Sequence, residues 1–133
     1  MNSRERIRNV LNRKNTDKLP VDFGSSPTTG IHVNTVYKLR QHYGLDKPGL
    51  PIKVVEPFQM LGEIKDDLKE IIGVDVVNFD NNYNFFGFKN ENWKEWKLWN
   101  GTPVLVPGLF NTTTNSDGSI FQYPEGNKDY PPS

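Results

Sequence analysis

The 133-residue chain has no cysteine, no alanine and no long apolar run. Without cysteine it can form neither a disulfide nor a thiolate zinc site, and it has no cysteine nucleophile. No apolar stretch approaches the ~20 residues that a membrane-spanning helix needs. The charged segment Met1–Arg6 is followed by no apolar stretch, which argues against a signal peptide. We therefore expect a cytoplasmic protein with no membrane partner.

The chain also lacks an excess of either charge, since 16 Lys and Arg residues balance 16 Asp and Glu residues. A protein of zero net charge has no overall field to attract nucleic acid. No basic segment with interleaved aromatic residues is present either, so we exclude nucleic acid as a partner. Turn formers are abundant, with 11 Gly and 10 Pro, and they make a compact core of this length marginal.

Apolar residues at helical spacing predict three helical regions. The first covers residues 3–13, with a serine as its N-cap and cations in its last turn. The second covers residues 34–43 and ends before a glycine. The third covers residues 58–72 and is either one helix or two, because an Asp pair within it could cap a second, shorter helix.

Three short apolar segments between turn formers predict buried strands. They are Leu19–Phe23, Ile52–Val55 and Val74–Phe79. Pro20 removes one backbone donor and must therefore lie at the start of the first strand. Because these strands alternate with the helices, the pattern predicts the β/α units of a larger enzyme.

The pair Asn100-Gly101 is the strongest local signal in the chain, because it favours a two-residue type I′ hairpin turn. In that register Trp99 faces Thr102 and Lys97 faces Val104. One face of the hairpin then packs on the body of the protein.

The sequence becomes polar and rich in Asn after residue 80, and this change divides the chain into two parts. Residues 1–80 are expected to form the opening β/α units, and residues 81–133 a hairpin-rich insertion with an interrupted tail. Asp117-Gly118 predicts a second hairpin there. The three tryptophans lie three residues apart, which places neighbours on opposite faces of a strand. We interpret them as hairpin packing and not as a platform for sugars or bases.

The loop after the first predicted strand is the leading candidate for ligand binding, because ligands bind at the carboxyl ends of strands in α/β folds. Its amides and hydroxyls could bind a carboxylate or phosphate. Five residues separate its two glycines and no Lys follows, so it is not a P-loop. An ordinary strand-to-helix connection is the alternative interpretation. The substrate-binding candidates are Gly24, Ser25, Ser26, Thr29 and Gly30.

Three titratable residues are candidates for catalysis: Asp22, His32 and Asp80. Asp22 lies inside a predicted buried strand, where an acid must be paired or face a ligand. Asp80 ends another strand, and either carboxylate could act as a general acid or base; a cap before the Asn-rich segment is the alternative for Asp80. His32 follows the loop and either faces a ligand or bonds the loop backbone. The spacing of the two histidines predicts no metal site.

Seven short motifs follow one another along nearly the whole chain: Ser3–Ile7, Asp17–Gly24, Thr29–His32, Pro57–Gln59, Gly73–Val76, Trp93–Trp96 and Asn100–Val104. In this order they resemble the start of proteins in the uroporphyrinogen decarboxylase-like superfamily. The likeness is to a divergent bacterial branch that includes corrinoid-linked methyltransferases.

The resemblance implies the N-terminal part of a (β/α)₈ TIM-type barrel with a β-hairpin insertion, and a ligand site at the carboxyl ends of the strands. It also implies an intact protein more than twice as long. Because a complete barrel needs about 250 residues, we expect this chain alone to be inactive.

The resemblance also bears on the reaction. Decarboxylases of the family bind substrate carboxylates through an Arg-containing stretch after the first strand. The corresponding loop here, Gly24–Gly30, contains no Arg. This favours corrinoid-dependent methyl transfer, with tetrapyrrole decarboxylation as the alternative. The family's substrate-orienting Asp has its nearest match in Asp80.

For the intact protein the resemblance implies zinc, a corrinoid, and a small molecule or corrinoid protein as substrate. It implies no metal or cofactor on this chain, because the family's zinc ligands lie late in the barrel. The oligomeric state stays open. A small non-catalytic binding module is the alternative from a different functional class.

Overall fold

The computed structural model describes residues 1–79 and 82–133. Its helices are α1 (Ser3–Leu11), α2 (Val33–His42) and α3 (Asp66–Ile72), with 3₁₀ turns at Pro27–Thr29 and Pro124–Gly126. Its strands are β1 (Ile52–Glu56), β2 (Leu61–Gly62), β3 (Lys94–Lys97), β4 (Pro103–Val106), β5 (Thr112–Thr114) and β6 (Ile120–Gln122). Among the described residues, no helix is long and apolar enough to cross a membrane.

The main sheet contains four strands in the order β2-β1-β4-β3. β1 and β4 run parallel, with Ile52 opposite Val104, and the other neighbouring pairs are antiparallel. β1 precedes residue 80 and β4 follows it, so one sheet joins the two parts of the chain. β5 and β6 form a separate two-stranded hairpin.

The hydrophobic core lies between α2 and this sheet. Val33 and Val36 present one face of α2, where neither is accessible to solvent. Burial of such side chains is the main stabilising contribution in a domain of this size. The buried apolar side chains of the sheet and its surroundings are Ile52, Val54, Ile64, Leu68, Phe88, Leu98, Val104, Val106 and Phe110.

The first two predicted helices are confirmed, with small differences at their ends. The N-cap of α1 is Asn2, one residue before the expected serine: the side chain of Asn2 accepts from the Glu5 amide at 2.9 Å, and Glu5 accepts from the Asn2 amide at 3.0 Å. This reciprocal capping box satisfies two backbone donors at the helix start. α2 covers 33–42 where 34–43 was expected.

The third predicted helix is only half present. α3 occupies the second part of the expected range and ends at Gly73, which has a φ of +77°. The first part contains β2 instead, because Gly62 lies directly against α2. A Cβ atom at Gly62 would lie 2.9 Å from the Cα atom of Val33. Apolar spacing alone did not reveal this close approach.

A buried arginine connects α2 to α3. Arg40 donates to Asp67 at 2.7 Å and also contacts Asp46 through two nitrogens. The Arg40 hydrogen bond lowers the pKa of Asp67 to about 2. The ion pairs compensate the burial of the Arg40 charge, which would otherwise be costly.

The prediction of an opening (β/α)₈ barrel with a hairpin insertion is wrong for this structure. Such a barrel requires successive parallel strands, each followed by a helix. Instead, β1 pairs in parallel with β4 of the hairpin, and β2 beside it is antiparallel. Neither Leu19–Phe23 nor Val74–Phe79 forms a strand. One physical reason is that part of their apolar surface is not covered: Leu19, Val77 and Phe79 are exposed, although Phe23 packs against the core.

The first hairpin is confirmed, but its register is shifted by one residue. Lys97 pairs with Pro103, not with Val104, and a five-residue connection replaces the expected two-residue turn. Asn100 is used differently: its side-chain oxygen accepts from the Thr102 amide at 3.1 Å. Because side chains alternate along a strand, a one-residue shift changes which partners share a face.

The second hairpin is also confirmed, with Thr114 opposite Ile120 across the turn that contains Asp117-Gly118. The tail returns to this hairpin, since the backbones of Gln122 and Ser133 exchange hydrogen bonds of 3.0 and 2.9 Å.

Candidate functional site

Hydrogen bonds and ion pairs connect residues 17–21 to α1 and to the segment after α3. Asp75 accepts from the Val21 amide at 3.0 Å, and its own amide donates to the Val21 carbonyl at 2.8 Å. Arg6 donates to Asp17 at 2.8 and 2.9 Å and also pairs with Asp75. The Val21 amide, with Ser3 and Arg6, holds the pKa of Asp75 below its ordinary value, although burial opposes this.

Asp22 organises the loop that follows. Its carboxylate accepts the Ser25 hydroxyl at 2.6 Å, the Ser25 amide at 3.1 Å and the Thr29 hydroxyl at 3.1 Å. The Ser25 hydroxyl is the main cause that lowers the pKa of Asp22. Asp22 is therefore an ionised acceptor near neutral pH, and its visible role is to hold the loop in shape.

Gly24 allows the chain to turn directly above the core. Its φ is +88°, and a Cβ atom there would lie 2.6 Å from the Cδ1 atom of Ile64. Its amide donates to the Thr29 carbonyl at 2.9 Å and closes the loop. Sequence reasoning assigned this glycine to ligand binding, and the structure adds a local steric reason for it.

The loop forms one wall of an open cavity of about 950 Å³, here called the loop cavity. The other walls are the end of β1, the short strand β2 and the two segments around residues 76–79 and 83–85. Of the substrate-binding candidates, the cavity lining includes Gly24, Ser25, Ser26 and Gly30. Thr29 lies behind this wall, where it bonds Asp22.

Glu56, the last residue of β1, lies at the base of the loop cavity. It is 5% exposed, and it accepts the Phe58 amide at 2.9 Å and the Phe85 amide at 3.0 Å, one on each carboxylate oxygen. Among the lining residues that the structure describes, Glu56 is the one charged side chain. A carboxylate has about four acceptor positions, so two amide donors leave capacity for a ligand.

Two buried asparagines fix the segment that carries Phe85. Asn90 donates to the Val55 carbonyl at 2.7 Å, and Asn84 donates to the Asn90 side chain at 3.0 Å. Asn84 also accepts from the Phe86 amide at 3.0 Å. The side chains of this Asn-rich stretch thus satisfy backbone groups, including one at the end of β1.

His32 lies apart from the loop cavity. It is the N-cap of α2, where its Nδ1 atom accepts from the Asn34 amide at 3.2 Å. A neutral imidazole that accepts at Nδ1 carries its proton at Nε2, so His32 presents a donor to its surroundings. Its ring lines a second cavity of about 370 Å³, here called the aromatic cavity, whose other walls include Phe58, Phe86, Trp96 and Trp99.

The structure thus brings the substrate-binding candidates together but not the catalytic ones. Asp22 is engaged within the loop, His32 lines the aromatic cavity, and Asp80 lies outside the described residues. Sequence reasoning missed Glu56. The available signal was an acid at the end of a short apolar segment, just before a proline.

The resemblance assigns the zinc ligands to a part of the intact protein outside this chain, and the described residues offer no site of their own. Within residues 1–79 and 82–133, no group of three or more acidic, histidine or cysteine side chains is placed to hold a metal. Nδ1 of His32 is already used as a cap. No step through zinc follows for this chain.

Comparison with known proteins adds no relative. A scan against protein-family models and searches of the curated proteins and of the solved structures found no match.

Proposed function

We propose that this chain carries a substrate-facing wall of a uroporphyrinogen decarboxylase-like protein whose reaction is corrinoid-dependent methyl transfer. The loop cavity carries this proposal, because oxygen atoms and apolar groups line it and no described lining residue is a Lys, Arg or His. A site for the many carboxylates of uroporphyrinogen would need cationic groups, above all Arg, which pairs with carboxylates in bidentate fashion.

The chemistry of a corrinoid fits these walls better. Its periphery carries carboxamide groups, which are neutral and donate hydrogen bonds to oxygen acceptors. Ser25 and Ser26 supply hydroxyl oxygens, and Glu56 supplies a carboxylate at the base of the same cavity. The family motifs in the sequence support the same choice. A cytoplasmic location is part of this proposal, since a chain without cysteine needs no oxidising compartment.

Tetrapyrrole decarboxylation remains the alternative reaction, and equilibrium dialysis distinguishes the two. Purified chain is dialysed against methylcobalamin and against uroporphyrin, and each ligand is measured by its visible absorption. We expect retention of methylcobalamin and little retention of uroporphyrin. Tighter binding of uroporphyrin would refute the methyl-transfer proposal. We expect no turnover of either compound by this chain alone.

A variant tests whether the lack of a cationic side chain in the described cavity lining causes the preference for methylcobalamin over uroporphyrin. Ser26→Arg places a guanidinium on the cavity wall and should increase uroporphyrin binding. Asn115→Arg adds the same charge in the exposed turn between β5 and β6 and should change neither affinity. Equal effects of the two variants would show that net charge, not the loop cavity, controls binding.

A further inference from the structure

The surroundings of Glu56 are unusual for a buried acid. Carboxylates with 5% exposure are normally paired with a cation or coordinated to a metal. Among residues 1–79 and 82–133, no Lys, Arg or His side chain pairs with Glu56. Two backbone amides compensate part of the charge, and the remainder faces the loop cavity.

Aromatic residues line the same cavity as this carboxylate. The Phe85 amide donates to Glu56 Oε2 at 3.0 Å, and the Phe85 ring lines the same cavity while remaining 62% exposed. Phe79 and Tyr83 line it as well, and Phe79 is fully exposed. Aromatic faces carry negative electrostatic potential and attract cations, most strongly where water is excluded.

We propose that the loop cavity binds a methylated ammonium group, with Glu56 as counter-ion and Phe85 and Phe79 against its methyl groups. A buried carboxylate without a cationic partner, exposed aromatic side chains and a described lining without Lys, Arg or His favour an organic cation over an anion. The inference that this cation is the enzyme's substrate rests on the proposed function. The inference that the cavity binds it does not.

Methylation distinguishes this ligand from a primary amine. A primary ammonium needs three hydrogen-bond acceptors, in the way that a lysine does. Apolar side chains, among them Val55, Leu61 and Val76, make up much of the cavity lining. A methylated ammonium instead buries apolar methyl groups against rings and needs the carboxylate only as a counter-charge.

The test uses choline and its neutral carbon isostere, 3,3-dimethylbutan-1-ol. The two have nearly the same shape and differ by the positive charge. Each is titrated into the purified chain by isothermal calorimetry, and the ¹H–¹⁵N NMR signals of Phe58 and Phe85 locate the site. We expect choline to bind about tenfold more tightly than the isostere, with shifts at both amides. Equal affinities, or no binding of choline by the folded chain, would overturn the inference.

Two variants test whether the loop cavity causes the preference for choline over its isostere. Glu56→Gln should remove the preference for choline, whereas Glu95→Gln removes the same charge from an exposed position of β3 and should retain it. If Glu56→Gln does not fold, Phe85→Leu supplies the test, since it keeps the backbone donor to Glu56 and removes the ring. Full retention of the preference in Phe85→Leu, or in folded Glu56→Gln, would also overturn the inference.

The outcome of these titrations is independent of the proposed function. Choline binding without methylcobalamin binding would refute methyl transfer and leave the cation site in place. Methylcobalamin binding without a preference for choline would refute the cation site alone.

Discussion

The sheet and the substrate-facing loop are held by different forces. In the sheet, Val54, Val104 and Val106 are completely buried, and apolar contact with α2 is the main stabilising contribution. The loop between Asp22 and Gly30 instead depends on carboxylates that accept specific donors, and on Asp75, which ties the preceding segment down.

This difference determines what each region tolerates. Apolar packing depends on volume, so a sheet residue can be exchanged for another of similar size. Hydrogen bonds to a carboxylate depend on the position of single atoms and on protonation. Substitutions in the sheet should therefore change global stability, and substitutions in the loop should change local geometry and its response to pH.

The largest effect is expected in the sheet. Ile52→Ala removes a side chain that is 2% exposed in the middle of the core and should lower the free energy of unfolding by about 2–5 kcal/mol. Ile120→Ala makes the same change at a half-exposed position of β6 and should cost less than about 0.5 kcal/mol. Urea denaturation measures both. Similar losses would mean that the sheet is not packed as described.

A smaller effect is expected at the glycine of the loop. Gly24→Ala meets both an unfavourable φ and the Ile64 side chain, whereas Gly101→Ala has a similar φ of +83° with open space around it. The φ term costs about 1–2 kcal/mol in both variants. The contact with Ile64 should add about 1–3 kcal/mol in Gly24→Ala alone. Equal melting temperatures would rule out close packing of the loop on the core.

The smallest expected effect is a change in the pKa of Asp22 in the loop. The pKa of Asp22 lies below its ordinary value, so its stabilising contribution is fully present above that ordinary value and is lost as the pH falls through the folded pKa. Ser25→Ala removes the main donor and should raise this pKa. Ser26→Ala is the control, because Ser26 serves the loop through its backbone carbonyl.

NMR titration of the Asp22 carboxyl measures these values. The protection factors of the loop amides should fall below about pH 4, where Asp22 and Asp75 begin to protonate, while those of β1 should not. Simultaneous loss of protection in both regions would contradict the proposed difference between them.

Local sequence signals predicted most of the elements. α1 and α2 were found from apolar spacing, and both hairpins from the Asn-Gly and Asp-Gly pairs, because these features depend on neighbours within a few residues. The substrate-binding candidates were placed on one loop, which the structure shows at a cavity wall.

The register and the sheet partners were not predictable in the same way. Asn100 forms a side-chain bond to Thr102 that lengthens the turn, and β1 pairs with a strand about 50 residues later in the chain. Nothing in either segment alone specifies that partner. The predicted strands Leu19–Phe23 and Val74–Phe79 failed for the complementary reason, since an apolar run becomes a strand only where another strand pairs with it.

By itself, the sequence determined the first two helices, the positions of the two hairpins, the absence of cysteine chemistry and the hydroxyl-rich loop without arginine, because each depends on residue type and near neighbours. Only the tertiary structure decided that Asp22 is occupied within that loop, that His32 belongs to a different cavity, and that Glu56 stands buried at the cavity base. The reason is physical: whether a charged side chain is paired, and what it faces, depends on segments that only folding brings together.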